Sequence, residues 1–319
     1  MIKLDNVYKS YKSTPALRGV SLEISEGECA VLIGPSGCGK STLLKTINRM
    51  VDTDSGTVEV NGVNVTEQSP ESLRLRTGYC IQGVGLFPHF TVKENIALVP
   101  GLLKWPADRT ENRVKHLMEL TGLPLSYLGK KPGELSGGEA QRVGVCRALA
   151  ADPPILLMDE PFGSVDPLNR ERLQDIFVNL QKELKKTVLF VTHDVEEAIM
   201  IGDRICVMNE GKIEGFGTPG HFAAQNSGSF ISSFLGSEYP LKLLKRYTIK
   251  DLDLPLLSES LGSKTDVPVI RGEDLDLKQL LSEMMRLGSQ RLIVILSGEK
   301  AAQVCYSDIV SYLKEVSGK

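Results

Sequence analysis

The chain has no apolar run of the roughly 18 to 20 residues that would cross a bilayer as a helix, so no segment reads as a membrane span. It has no CxxC pair and no Cys/His cluster at metal-ligand spacing. Its 6 cysteines (Cys29, Cys38, Cys80, Cys146, Cys206 and Cys305) stand singly, and read as reduced thiols filling a core. Basic charge is not in excess: 37 Lys and Arg against 40 Asp and Glu leave a net charge of -3, which gives no long-range pull on a phosphate backbone and sets nucleic acid aside as a partner. No charged-then-apolar leader opens the chain. Met1-Ile2-Lys3-Leu4-Asp5 begins at once in strand-like alternation, and a cytoplasmic location is expected. What is present is ordinary for a globular protein: 41% hydrophobic and 24% charged residues over 319 positions, enough for about two domains.

Alternating stretches at Ile2 to Val7 and Val20 to Ile24 precede an apolar strand, Cys29 to Ile33, a Gly-rich turn and a helix starting near Lys40. Thr57 to Val60 with Asn61-Gly62 reads as a hairpin. The region from about 87 to 150 has helical periodicity and holds the single tryptophan, Trp105, as an inserted helical subdomain would. Buried-strand runs return at Ile155 to Met158 and Val188 to Val191, separated by a helix through Gln174 to Leu184; continuous apolar strands alternating with helices indicate a mostly parallel sheet covered on both faces. A hairpin (Ile205 to Met208, Lys212 to Glu214) and a helix from about Gly220 to Leu235 are expected to close a first domain, 1–236. The remainder, 237–319, reads strand (Val267 to Ile270), helix (Glu273 to Leu287), strand (Arg291 to Leu296), turn (Ser297-Gly298), strand (Ala301 to Cys305) and helix (Ser307 to Val316). Leu277, Leu280, Leu281, Met284 and Leu287 form one apolar stripe in its first helix. This is a small separate α/β module.

Gly34-Pro35-Ser36-Gly37-Cys38-Gly39-Lys40-Ser41 fits the phosphate-binding pattern GxxxxGK[ST] and sits between an apolar strand and a helix start, as that pattern requires. The glycines let backbone N–H groups turn inward around phosphate oxygens, and the helix N-terminus adds partial positive charge. Lys40 brings a point charge, Ser41 a hydroxyl for Mg²⁺, and Thr42 a second hydroxyl near the phosphates. The run Ile155 to Met158 ends in Asp159-Glu160: Asp159 is expected to hold Mg²⁺ and Glu160 to polarise an attacking water. Cys38, near a helix N-terminus and Lys40, is expected to have a lowered thiol pKa, so that alkylation would block the site and a bound phosphate ligand would protect.

With Leu135-Ser136-Gly137-Gly138-Glu139-Ala140-Gln141 the chain resembles the ABC transporter ATP-binding family. In that family this signature sits at a helix N-terminus and closes over the γ-phosphate held by the opposite subunit. Ser136 and the backbone of Gly137 and Gly138 suit that work, and Ser136 with Glu139 also makes a capping box. The resemblance implies a P-loop fold with N-terminal antiparallel strands, ATP and Mg²⁺ as ligands, and hydrolysis in a head-to-tail homodimer. It also assigns Tyr11 to adenine stacking and Gln82 to Mg²⁺, the attacking water and the link to the transmembrane partner. Ser164-Val165-Asp166 becomes the loop crossing the dimer interface, and His193 the switch that contacts the γ-phosphate. Integral membrane permease subunits, and through them a solute-binding protein, are the implied partners. The implied station is peripheral, on the cytoplasmic face of the cell membrane.

The stretch Gly78 to Val92, with Phe87-Pro88-His89, is similar to osmoprotectant importers for glycine betaine, carnitine and choline; that group typically follows its glutamine with another, where this chain has Gly83. The module at 237–319 resembles a cystathionine-β-synthase-type (CBS) repeat, with Tyr247 to Leu257 as a remnant lead-in. Such repeats usually pair and bind adenosine-containing ligands; here one copy is evident, and Cys305 stands where a ligand-binding Thr is usual. A dimerisation or regulatory role is therefore expected of it. An importer of sugars, amino acids or other small solutes is the alternative. A soluble ABC ATPase of translation or DNA repair is a further one, though such proteins generally carry two cassettes or a long coiled-coil insertion.

Overall fold

The structure, a computed structural model, describes residues 1–318 except 84, 164, 224–228, 258–266, 273 and 297–299, and the side chains of 167–169 are likewise outside the description. The chain divides into two compact units, Met1–Phe216 and Gly217–Lys319.

In the first unit, β1 (Ile2–Tyr11) and β2 (Thr14–Ile24) pair antiparallel, with Ile2 opposite Ile24, Leu4 opposite Leu22 and Val7 opposite Val20. The apolar stretches read from sequence are the inner halves of these strands; hairpin pairing carries them on to Tyr11 and Thr14, where alternation has faded. After β3 (Cys29–Ile33) and α1 (Lys40–Ile47), the short hairpin β4 (Ser55–Val60) and β5 (Val63–Asn64) adds to β1, giving the order β2-β1-β4-β5. Asn61 (φ 51°) and Gly62 (φ 74°) supply the two left-handed residues that such a tight turn needs.

A short helix, α2 (Pro70–Leu75), leads to β6 (Thr77–Cys80). Then come α3 (Val92–Leu102), α4 (Ala107–Leu120) and α5 (Gly137–Leu149), within the expected helical region. The chain returns through β7 (Ile155–Asp159), α6 (Pro167–Leu184), β8 (Thr187–Val191), α7 (Val195–Ile201), β9 (Arg204–Asn209) and β10 (Lys212–Gly217). The second sheet runs β10-β9-β3-β8-β7-β6, and its β9-β3-β8-β7-β6 stretch is parallel. Every residue of β3, β7 and β8 is buried, as strands covered on both faces must be. The expected α/β architecture is the observed one. The edge strand β6 was not anticipated: it is four residues long and contains Gly78, whose missing side chain is required because a Cβ there would lie 2.4 Å from the Ala148 carbonyl oxygen.

The second unit starts earlier than the expected cut at 236. It takes in α8 (Pro219–Ala223) and α9 (Phe230–Leu235), then α10 (Tyr239–Leu243), β11 (Leu256–Leu257), β12 (Val269–Arg271), α11 (Leu277–Leu287), β13 (Arg291–Ile295), β14 (Ala301–Cys305) and α12 (Tyr306–Ser317). The reason is packing at long range in the sequence. Gly220 lies so close to α12 that a Cβ would sit 2.1 Å from the Val316 carbonyl oxygen, and Tyr239 Oη donates to the Pro219 carbonyl at 2.8 Å. The single helix expected over Gly220 to Leu235 is described as two, on either side of 224–228. The sheet order is β11-β14-β13-β12, antiparallel except for β12 with β13. Helix α11 begins at Leu277, not Glu273, because Asp276 caps it: its Oδ1 accepts from Gln279 N at 2.7 Å while Gln279 Oε1 accepts from Asp276 N at 3.1 Å. Leu277, Leu280 and Met284 are buried, whereas Leu287, expected in the same stripe, is 38% exposed in the last turn, next to the left-handed Gly288 that caps the helix. The turn expected at Ser297-Gly298 lies outside the described residues.

Candidate active site

In a parallel α/β sheet, ligands gather beyond the carboxyl ends of the strands. Neighbouring strands β3, β8, β7 and β6 end, respectively, in the Gly34–Ser41 loop, His193, Asp159-Glu160 and Gln82. Residues spread over more than half of the first unit's sequence thus arrive in one row. A larger cleft, about 450 Å³, opens at the opposite strand ends by Pro154 and Thr187 and carries none of the motif residues.

Within the loop, Gly34, Gly37 and Gly39 adopt φ of 154°, 79° and 111°. Gly34 and Gly39 also have no room for a side chain: a Cβ would lie 2.2 Å from the Met208 carbonyl oxygen or 2.5 Å from that of Ala16. Gly37 faces open space. No side chain caps α1, so its first N–H groups are left for a ligand's oxygens. Lys40 is buried and turns its ammonium onto the loop itself, donating to the carbonyls of Gly34 at 2.7 Å and Pro35 at 3.0 Å. Pro35 is half-buried, Ser36 exposed and Thr42 half-buried.

Ser41 Oγ donates to Asp159 Oδ1 at 3.0 Å. Asp159 is buried, and burial holds its carboxyl above the usual range, with the neighbouring Glu160 charge adding to the effect and the Ser41 bond, Lys45 and Lys40 opposing it. Glu160 has φ 45°, which a residue with a side chain seldom adopts, while its N–H continues the ladder to the Val191 carbonyl at 3.0 Å. That twist separates the two carboxylates. Glu160 Oε2 instead accepts from Gln82 Nε2 at 3.2 Å and lies 3.4 Å from His193 Nδ1.

At the start of α5, Ser136 Oγ accepts from Glu139 N at 3.4 Å and Glu139 Oε2 accepts from Ser136 N at 2.7 Å, which is the capping box read from the sequence. Tyr127 Oη also donates to Glu139 Oε1 at 3.1 Å. Gly137 is exposed and a Cβ on it would meet nothing within the protomer; Gly138 is half-buried. Tyr11, at the tip of β1, is 46% exposed. Asp166 is exposed just ahead of α6, and Ser164 lies outside the described residues.

Cys38 departs from expectation. Its side chain is 4% exposed, and burial pushes the thiol up, outweighing Lys40 Nζ at 3.8 Å. Sequence shows the nearby ammonium but not the protein packed over the sulfur. Burial likewise pushes Cys80 and Cys146 up to about 12, in keeping with thiols that fill a core.

The donor set fits a magnesium ion. Ser41 and Asp159, in contact at 3.0 Å, offer a hydroxyl oxygen and one carboxylate, and Gln82, at the end of the adjacent β6, offers an amide oxygen. That is the pattern of an ion held partly by phosphates. The raised Asp159 carboxyl points the same way, since a buried carboxylate gains from a cation.

Sequence reasoning missed two polar links. Arg147 Nη1 donates to the Gly85 carbonyl at 2.8 Å, tying α5 to the segment after Gln82. Beside His193, Asp194 and the buried Glu197 meet α6 through Arg170 and Gln174. No local pattern marks these residues, because each link joins elements distant in the sequence.

The model for the family described as ABC transporter matches residues 17–163. The glycine betaine uptake system ATP-binding protein YehX of Escherichia coli (strain K12) is 37% identical over 312 residues, covering 97% of this chain and 99% of that protein. The chain belongs to the ABC transporter family. The glycine betaine/carnitine/choline transport ATP-binding protein OpuCA of Bacillus subtilis (strain 168) is 48% identical over 239 residues, or 75% of this chain. The match spans 63% of OpuCA's own length, less than two thirds. Among solved structures, the ATP-binding cassette MJ0796, a dimer in a post-hydrolysis state with ADP and Pi, covers 68% of this chain and 98% of its own, with TM-score 0.62 and 33% identity.

Proposed function

We propose that this chain is the ATP-hydrolysing subunit of an importer for quaternary-ammonium osmoprotectants such as glycine betaine, acting as a homodimer with permease subunits. The observation that carries the reading is the row of Lys40, Ser41, Asp159, Glu160, Gln82 and His193 at adjacent strand ends, where Ser41 meets Asp159 and both Gln82 and His193 meet Glu160. The names of YehX and OpuCA supply the solute class. Among the described residues no helix is long and apolar enough to cross a membrane, which fits a subunit that reaches the bilayer through its permease, on the cytoplasmic face.

In this mechanism the loop N–H groups and Lys40 bind the phosphates, and Tyr11 stacks on adenine. Glu160 accepts the proton of the attacking water, while Gln82 and His193 hold its carboxylate in place. Mg²⁺, held by Ser41, Asp159 and Gln82, would neutralise phosphate charge. Ser136 and Gly137 of the second protomer complete the site, which accounts for a glycine in open space at an exposed helix tip. Asp166 belongs to the same interface. Permease docking is assigned to the groove of about 320 Å³ beside Gln82, lined by Met50, Tyr79, Ile81, Phe87, Leu98 and Arg147. Several of those side chains are exposed and apolar, as a docking surface requires. The second unit, resembling a CBS repeat, is assigned a regulatory or dimerisation role.

Glu160→Gln tests the core of this reading. The variant is expected to bind ATP and dimerise while hydrolysis falls about 100-fold or more; unchanged phosphate release would overturn the assignment. For the solute, ATPase activity of the reassembled transporter in vesicles should rise with glycine betaine and not with a sugar.

A further inference from the structure

Asp194, next to His193, caps α7: its Oδ1 accepts from Glu196 N at 2.8 Å and Glu197 N at 3.3 Å, and its own N–H donates to Thr192 Oγ1 at 3.0 Å. The other carboxylate oxygen faces α6, where Arg170 Nη1 lies 3.8 Å away. The same guanidinium sends Nη2 to the Val165 carbonyl at 2.9 Å, in the segment just ahead of α6. One turn further along, Gln174 Nε2 donates to Glu197 Oε1 at 3.1 Å. Helix α6 therefore grips the first turn of α7 at two points, and of these two side chains Arg170 is the one that also holds the segment of Val165 and Asp166.

Arg170 shares the wall of one small cavity, about 10 Å³, with Glu160, Gly163, His193 and Asp194. Its side chain is 25% exposed; Nη2 is hydrogen-bonded to the Val165 carbonyl, Nη1 stands at ion-pair distance from Asp194, and the buried Nε has no hydrogen-bond partner among the described residues. A planar guanidinium presents two Nη groups in fixed geometry, so it can face a carbonyl and a carboxylate at once. An ion pair serving helix packing alone would need neither the Val165 carbonyl nor a place beside the Glu160–His193 contact.

We propose that Arg170 is a positioning residue that fastens the Val165–Asp166 segment to the His193–Asp194 turn, so that the two move as one relative to Glu160. The proposal rests on the assignment of Glu160 and His193 to ATP hydrolysis. Displacing such groups by a fraction of their spacing slows turnover without removing nucleotide contacts.

The test uses the full chain, with phosphate release, ATP titration and thermal melting. Arg170→Met is expected to lower kcat about 10-fold with ATP affinity near that of the wild type. Asp194→Asn, whose amide oxygen can still cap α7, should lower kcat in the same direction and guards against a folding defect in the first variant. Because both remove one link, the double variant should be no slower than the slower single one. Gln174→Leu, which removes only the neighbouring grip, should lower the melting temperature and leave kcat unchanged. Wild-type kcat in Arg170→Met or Asp194→Asn, losses that multiply in the double variant, or a Gln174→Leu as slow as Arg170→Met would each overturn the proposal. A wild-type chain that hydrolyses no ATP would instead refute the reading of Glu160 and His193.

Discussion

The two units differ in what they bury. Apart from the Tyr239 hydroxyl, the buried polar and charged side chains of the described residues, among them Lys40, Asp159, Gln141 and Glu197, lie in Met1–Phe216, whereas the core of Gly217–Lys319 is built around Leu277, Leu280, Leu292, Val294, Val304 and Ile309. Desolvating a charge is unfavourable unless it is paired, so a fold keeps such groups where they have work to do. The second unit has the interior of a packing module, and the first that of a reaction site.

Variants can break or sharpen that contrast. The largest effect after Glu160→Gln is expected of Lys40→Ala, which should weaken ATP binding by about 10- to 100-fold, the range for a charge-assisted hydrogen bond, as read by titration; equal affinity would detach the phosphate loop from its assigned role. Leu280→Ala should do the converse. It should destabilise the second unit by about 2–5 kcal/mol in chemical denaturation while basal turnover stays unchanged, and a loss of turnover would show that the units are not separable in function. The smallest effect belongs to Cys38. Iodoacetamide should leave the native protein unlabelled at this position and active, and rapid labelling by mass spectrometry would show the loop opening readily.

What could be read from the sequence follows the same division. The phosphate loop, the Asp159-Glu160 strand end and the Ser136 helix start are local patterns, because the chemistry fixes residue types a few positions apart. Their convergence depends on strand order, which local pattern does not contain but which the alternation of buried strands and helices constrains. Features set by distant contacts were not legible: Gly78 beneath the Ala148 carbonyl makes β6 possible, Gly220 beside Val316 moves the unit boundary to 216, and the cover over Cys38 reverses its expected acidity. The Arg170–Asp194 link belongs with these. In the second unit the Leu277 stripe marks a helix, but its start is set by the Asp276 cap and not by the apolar pattern.

Because two of the three Lys40 ammonium donors already go to the Gly34 and Pro35 carbonyls, whatever enters the loop meets a cation whose first shell is partly filled by neutral dipoles. A neutral hydroxyl or a water offers no more than those carbonyls do, whereas a polyanion offers full negative charge to the same cation. The loop thus screens by charge before any base or sugar is touched, and discrimination between nucleotides falls to the rest of the site.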